Sequence, residues 1–251
     1  HDLSQLEPRT LDGTAAGRMP FFSPHGRWLG FFTPSEIRKI PIVGGVATTL
    51  APIGSPPRGG VWANDDTIIF SLADGGGLRR LAASGGPVTV LAKPAESQKT
   101  NFTYPALLPN GRAVLFMAGT VGGPATTINV LDLSTGEQKK LIDGAGTAQY
   151  GDGFLVYTVD SNLLAVPFDQ ERLAVTGDAV PALEGVMTFS AGAANFALSP
   201  NGSLVYAPSG REIVTLRTLV WVDRKGAETP LNAEPRAYTA ARISPDGTKI
   251  A

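Results

Sequence analysis

One short phrase recurs through the chain and limits what it can fold into. SPHGRWLGFF begins at Ser23, SPNGSLVY occupies residues 199–206 and SPDGTKIA residues 244–251. With the turn inside the phrase as a marker, six equivalents fall at Gly26, Asp66, Gly111, Gly153, Gly202 and Gly247, spaced 40, 45, 42, 49 and 45 residues apart. The chemistry of the turn is local. Pro fixes φ near −65°, Asn or Asp bonds its own nearby backbone, and Gly accepts a positive φ. His25 fills the slot held elsewhere by Asn110, Asn201 or Asp246, and reads as a turn residue.

After each of the first five turns comes an apolar pair closed by an aromatic, as in Ile68-Ile69-Phe70 and Leu204-Val205-Tyr206. A second apolar hairpin follows most of them, turning at Gly44-Gly45, Gly85-Gly86, Thr135-Gly136 and Lys225-Gly226; such pairs between β-rich runs are hairpin signals. The fourth unit uses the longer link PFDQERLAVTGDAVPAL. No window sustains a helical period. Four strands per unit at this period is the signature of a propeller blade. The spacing therefore predicts an all-β, six-bladed β-propeller, with four antiparallel strands per blade and one domain over residues 1–251. Five blades are complete in the sequence, at residues 15–54, 55–97, 98–146, 147–190 and 191–236. The tail supplies only two strands of a sixth. The head, HDLSQLEPRTL, aligns without a gap on LDLSTGEQKKL at residues 131–141, the third and fourth strands of the third blade. The sixth blade is therefore expected to be composite, with residues 1–11 and 242–251 in one sheet. A start at His1 without Met and an end in mid-phrase predict an excerpt or a processed product.

Composition narrows the function. Lys and Arg number 21 against 22 Asp and Glu, and no basic stripe of the kind nucleic acid needs is visible. Gly (30) and Pro (20) make the chain turn-rich, while 43% hydrophobic content is ample for a packed core. No apolar run approaches the about 18 residues of a membrane span. With no Cys and only His1 and His25, disulfides, thiolate catalysis and a zinc site drop out. A Ser-His-Asp triad would need His25 as its base, and no GxSxG elbow occurs. LADGGGLRRL, residues 72–81, is a strand-to-strand turn rather than a phosphate loop, since GxxxxGK[ST] is missing. No catalytic residue is assigned.

The phrases FFSPHGRWLGFF, ALSPNGSLVYAP and RISPDGTKIA resemble the Pro-Asp-Gly, WD40-like repeat of TolB-type propellers over essentially the whole chain. VLDLSTGEQKKL, LLAVPFDQERLAVTGDAVPALEGV and TLVWVDRKGAETPL are similar to the propeller C-terminal to bacterial serine/threonine protein kinases. That resemblance implies a sensor or interaction domain, a periplasmic or extracytoplasmic setting, and a kinase domain in a longer parent chain. No kinase motif lies in this chain. WANDD (62–66) and YGDG (150–153) depart from the phrase. Some six-bladed propellers are calcium-dependent lactonases or esterases, and calcium needs only carboxylates and carbonyls, so calcium stays open as a cofactor. The first strands PFFS, GVWA, YPALL, TAQY, NFALS and AARIS are poor in carboxylates, with Gln149 and Asn195 as their amides; no metal ligand is assigned.

The loops entering the first strands bring together cations, amides and tyrosines. Arg18, Arg58, Tyr104, Gln149, Asn195, Arg236 and Tyr238 are the candidate ligand-binding residues, suited to a polar or anionic group at one channel mouth. The expected function is a non-catalytic binding or sensor module for a protein or small polar ligand. The alternatives are a calcium-dependent lactonase or esterase, and the propeller of a prolyl-oligopeptidase-like enzyme whose catalytic domain lies elsewhere.

Overall fold

The structure, a computed structural model, describes residues 10–95, 100–120, 126–189, 192–209, 218–223, 226–231, 233–235, 238 and 241–250. They fall into two compact units, Leu11–Gly144 and one built around Ala145–Ala251.

The first unit holds three four-stranded antiparallel sheets in plain up-and-down order. The first is β1 (Arg18–Phe22), β2 (Trp28–Phe32), β3 (Glu36–Pro41) and β4 (Thr48–Pro52). The second is β5 (Pro57–Trp62), β6 (Thr67–Leu72), β7 (Leu78–Ala82) and β8 (Thr89–Ala92). The third is β9 (Thr100–Leu107), β10 (Ala113–Thr120), β11 (Thr126–Asp132) and β12 (Gln138–Asp143). The other unit has two more. The fourth sheet comprises β13 (Ala148–Gly151), β14 (Phe154–Val159), β15 (Asn162–Asp169), the two-residue β16 (Ala174–Val175) and β17 (Val180–Leu183), the last two both pairing with β15. The fifth comprises β18 (Phe196–Leu198), β19 (Leu204–Tyr206), β20 (Val220–Val222) and β21 (Glu228–Pro230).

The expected six blades are therefore corrected to five. Around the last turn, among the described residues, the pairing is the isolated bridge Ile243–Ile250. Among the described residues no third or fourth strand lies beside these two, so the described tail forms a turn and not a sheet. The expected pairing of residues 1–11 with 242–251 rests on residues 1–9, which lie outside the described residues.

The apolar runs exist because each sheet has two faces to cover. Successive strand side chains point to opposite faces. Along β6, Ile68 and Phe70 join Phe21, Phe32, Ile37 and Trp62 between the first and second sheets. Ile69 joins Leu78, Phe102, Val114, Phe116 and Leu131 between the second and third. In the other unit β19 divides the same way. Tyr206 packs with Leu163, Val186 and Phe196, while Val205 packs with Ala207, Leu219, Ala241 and Ile250. In the first sheet Gly30 lies opposite Phe21, whose ring covers the space a Cβ there would need. That cross-strand fit explains why the aromatic comes one residue later in WLGF. A cation also bridges the first two sheets. Lys39 Nζ donates to the Ala83 carbonyl at 2.8 Å and stands 4.7 Å from the Trp28 ring and 6.0 Å from the Trp62 ring.

All six marker residues are left-handed: φ is 63° at Gly26, 60° at Asp66, 71° at Gly111, 87° at Gly153, 83° at Gly202 and 72° at Gly247. WANDD makes the same turn, the Asp66 N–H donating to the Ala63 carbonyl as Gly26 does to Ser23, whereas YGDG makes a two-residue hairpin, with Asp152 at φ 50° and Gly153 at 87° between the paired Gly151 and Phe154. At Asp66 the carboxylate accepts the Trp62 indole N–H at 3.0 Å, which holds a non-glycine residue where its sisters use Gly. His25 lies in the first of these turns, as its slot implied. The serine of the phrase has a role its sequence position alone did not reveal. Ser23 Oγ accepts the Trp28 N–H at 3.0 Å, Ser199 Oγ the Ser203 N–H at 2.9 Å and Ser244 Oγ the Lys249 N–H at 2.8 Å. The hydroxyl ties the end of the turn to its start.

Two predictions follow from these contacts. Ser199→Ala removes a turn-closing acceptor and should lower unfolding stability by about 1 kcal/mol in a urea titration. The Asp132 carboxyl is held down to about 2 by the Ser134 hydroxyl and N–H, with Arg112 adding to the effect, and Asp246 is held to about 2 by Ser244 and Thr248. Both folded values lie below the unfolded one. The stability they contribute is therefore complete above about pH 4 and lost as pH falls toward 2. Chemical-denaturation stability followed over that window should decline less steeply in Asp132→Asn than in the native chain.

Candidate functional site

Within Leu11–Gly144 the first strands lie side by side, β1 against β5 and β5 against β9. Each breaks its register with β2, β6 or β10 at one place, between Arg18 and Phe21, between Pro57 and Gly60, and opposite Leu115–Met117. At each break one residue is left-handed: Met19 at φ 49°, Gly59 at 99° and Tyr104 at 53°. Their separations of 40 and 45 residues repeat those of the first three turns. The three bulges are thus one structural feature written three times. Glycine adopts this conformation freely. Met and Tyr do not, and each precedes a proline, Pro20 or Pro105, which restricts it further. Bulges re-aim side chains next to binding and active sites, and bulky residues in this region mark places where surrounding structure overrides local preference.

Gly59 and Tyr104 meet directly. A Cβ at Gly59 would stand 3.1 Å from Tyr104 Cα and 3.5 Å from its ring, so the glycine lets the tyrosine bulge approach β5. Arg58, the next residue, is near enough for its charge to act on the phenol. Burial pushes the Tyr104 hydroxyl above its ordinary value, and the Arg58 charge pulls partly against this. The phenol is therefore protonated at neutral pH and can donate. Among the described residues Arg58 Nη1 donates to the Pro57 carbonyl at 3.4 Å, while the Arg58 carbonyl accepts the Ser71 hydroxyl at 2.9 Å. A cation, a phenol and a strained backbone thus converge at one end of three adjacent strands. That arrangement can hold an anion or a polar oxygen.

Of the residues singled out from sequence, Arg18 and Arg58 fall at the starts of β1 and β5 and Tyr104 in the middle of β9, each beside or at its bulge. The two amides lie in the other unit and are committed to backbone. Gln149 donates to the Phe196 carbonyl at 3.1 Å and accepts the Leu198 N–H at 2.8 Å, stapling β13 to β18. Asn195 is 0% exposed; it donates to the Tyr238 carbonyl at 2.8 Å and accepts the Ala241 N–H at 3.0 Å. The Tyr238 hydroxyl donates to the Glu234 carbonyl at 2.8 Å. Arg236 lies outside the described residues. Gly59 and Met19 were not singled out, although a signal existed: Met-Pro, Gly-Gly and Tyr-Pro recur at the repeat spacing, seven residues before each turn marker. The oxygens of both first-strand amides accept a backbone N–H, from Leu198 at Gln149 and from Ala241 at Asn195. Among the described residues no three His, Asp or Glu side chains converge as a metal site would require.

No family model matches the chain, and neither does any curated protein. Solved structures do. The chain is similar to regucalcin of Agrobacterium tumefaciens, a calcium-binding protein, with a TM-score of 0.69 at 16% identity over 99% of this chain and 83% of that one. A gluconolactonase of Xanthomonas campestris superimposes with a TM-score of 0.71 at 10% identity, over 93% and 81% of the two chains. TolB of Acinetobacter baumannii gives 0.65 at 17% identity, over 91% of this chain and 58% of TolB. At such identities the likeness is one of fold. Together with the repeated four-stranded sheets it defines the class: the chain is an all-β, TolB-like β-propeller, and its relatives in shape include both binding proteins and lactonases.

Two substitutions test the geometry. Asn195→Ala removes the acceptor of the buried Ala241 N–H and a donor to the Tyr238 carbonyl and should cost about 1–3 kcal/mol of stability, read from denaturant unfolding. Gly59→Ala forces a Cβ against Tyr104 at a left-handed position. It should destabilise by about 1–2 kcal/mol and shift the amide NMR signals of residues 103–105.

Proposed function

We propose that this chain is a non-catalytic binding module that takes a polar or anionic ligand at the bulged ends of β1, β5 and β9. The observation that carries this reading is the placement of Arg58 beside the half-buried, protonated Tyr104 on a strained bulge, with no carboxylate paired to Arg58 among the described residues. A guanidinium with a neighbouring phenol offers several donors and no competing internal anion, which favours an incoming carboxylate or phosphate. The bulge is costly for the fold, and holding two side chains ready for a ligand is a use that would retain it.

A second reading, lactone or ester hydrolysis with calcium, is favoured by the likeness to regucalcin and the gluconolactonase. The two are separated by incubating the pure chain with a panel of lactones and short aryl esters, with calcium and with a chelator. The binding module gives no turnover above background in either. Turnover that disappears with the chelator replaces the first reading with the second.

A further inference from the structure

We propose that the ligand of these strand ends carries two negative charges, as a phosphomonoester or dicarboxylate does, and is held between Arg18 and Arg58. The proposal rests on the reading of the same strand ends as a binding site and adds the charge of what binds there.

Three observations lead to it. First, the two arginines are equivalent. Each immediately precedes the left-handed residue of its bulge, Met19 or Gly59, on neighbouring strands, and they are 40 residues apart, the spacing of the repeat itself. The third residue of the series, Thr103, gives its hydroxyl to the Met117 carbonyl and adds no charge. Second, neither arginine has a carboxylate partner among the described residues, although the same unit supplies one elsewhere. Arg79 pairs with Asp74 at 2.8 Å and Arg112 with Asp132 at 3.0 Å. Third, the charge of the chain is unevenly divided. Residues 11–144 contain 12 Lys and Arg against 9 Asp and Glu, whereas the remainder contains 9 against 13.

An anion seated between two guanidinium groups on adjacent strands is attracted by both. A single carboxylate satisfies one planar fork. Two forks match two carboxylates, or the several oxygens of one phosphate. The protonated Tyr104 hydroxyl adds a neutral donor beside Arg58, so a second anionic oxygen there meets no competing negative charge.

The test is an NMR titration of the whole chain with succinate, inorganic phosphate and butyrate at low salt. Succinate or phosphate should bind at least about tenfold more tightly than butyrate, and whichever wins identifies the source of the charge. Arg18→Met and Arg58→Met should each reduce that preference to about twofold or less, with Lys139→Met, a charge loss on β12, leaving it unchanged. Arg18 is exposed, so its variant reads out even if Arg58→Met fails to fold. Equal binding of all three anions, weakened throughout by Arg58→Met, overturns the two-charge proposal and leaves the binding site standing. Absence of binding by any of them, or binding indifferent to both arginines, overturns the site as well.

Discussion

A four-stranded sheet whose strands are apolar on both faces cannot exist alone in water. Everything else in this molecule depends on that constraint. Ile68, Ile69 and Phe70 sit in consecutive positions and serve two different cores, one on each side of their sheet. Each sheet must therefore have a neighbour at the right height, and the neighbour must present its own aromatic in the same place. The left-handed turn sets that height. The N–H of the marker donates three residues back at Gly26, Asp66, Gly111, Gly202 and Gly247, so the second strand starts from the same point in those repeats, while the fourth uses a tighter two-residue hairpin. Phe21 over Gly30 shows how tightly the cores are matched: one repeat forgoes a side chain so that a neighbouring ring fits.

Apolar packing fixes distance but tolerates sliding, and polar contacts remove that freedom. Lys39 reaches from the first sheet to the Ala83 carbonyl of the second. Gln149 grips the backbone of β18 with both ends of its amide, and Asn195 does the same for residues 238 and 241. These are buried or half-buried groups with every bond directional, so a shift of one residue in register would leave donors and acceptors unpaired at a cost far above that of an apolar slip. Gln149 thus joins β13 to β18, and Asn195 joins the residue before β18 to the backbone at 238 and 241. Amide side chains on an innermost strand are as well suited to a neighbouring backbone as to a ligand, and only the distance to that backbone tells the two apart.

The strand ends in Leu11–Gly144 follow a different logic. Met19 and Tyr104 occupy a conformation their side chains disfavour, each ahead of a proline, and the repeat places Gly59 at the equivalent point where the conformation is free. The glycine and the tyrosine are complementary: the absence of a side chain on one strand makes room for a large one on the next. Arg18 and Arg58 stand beside these bulges without an acid partner among the described residues, while Arg79 and Arg112 of the same unit pair with Asp74 and Asp132. Backbone strain and two arginines without an acid partner among the described residues coincide there.

The sequence by itself determined the class of fold, the strand-turn period and the position of each turn, down to the divergent WANDD and YGDG. Those features are local: a positive φ at Gly, an Asx bond two residues on and a two-residue periodicity are all written within a few positions of one another. It also announced arginines and a tyrosine at the strand entries. It did not determine the number of complete sheets. The last repeat carries the turn, but a sheet requires partner strands, and pairing is decided by which segments meet in space. Nor did it separate Arg58 and Tyr104, brought together beside Gly59, from Gln149 and Asn195, consumed by neighbouring backbone. Those outcomes depend on contacts between residues more than 40 positions apart, and only the tertiary structure decides them, because the same side chain binds a ligand or a backbone according to what stands within hydrogen-bonding distance.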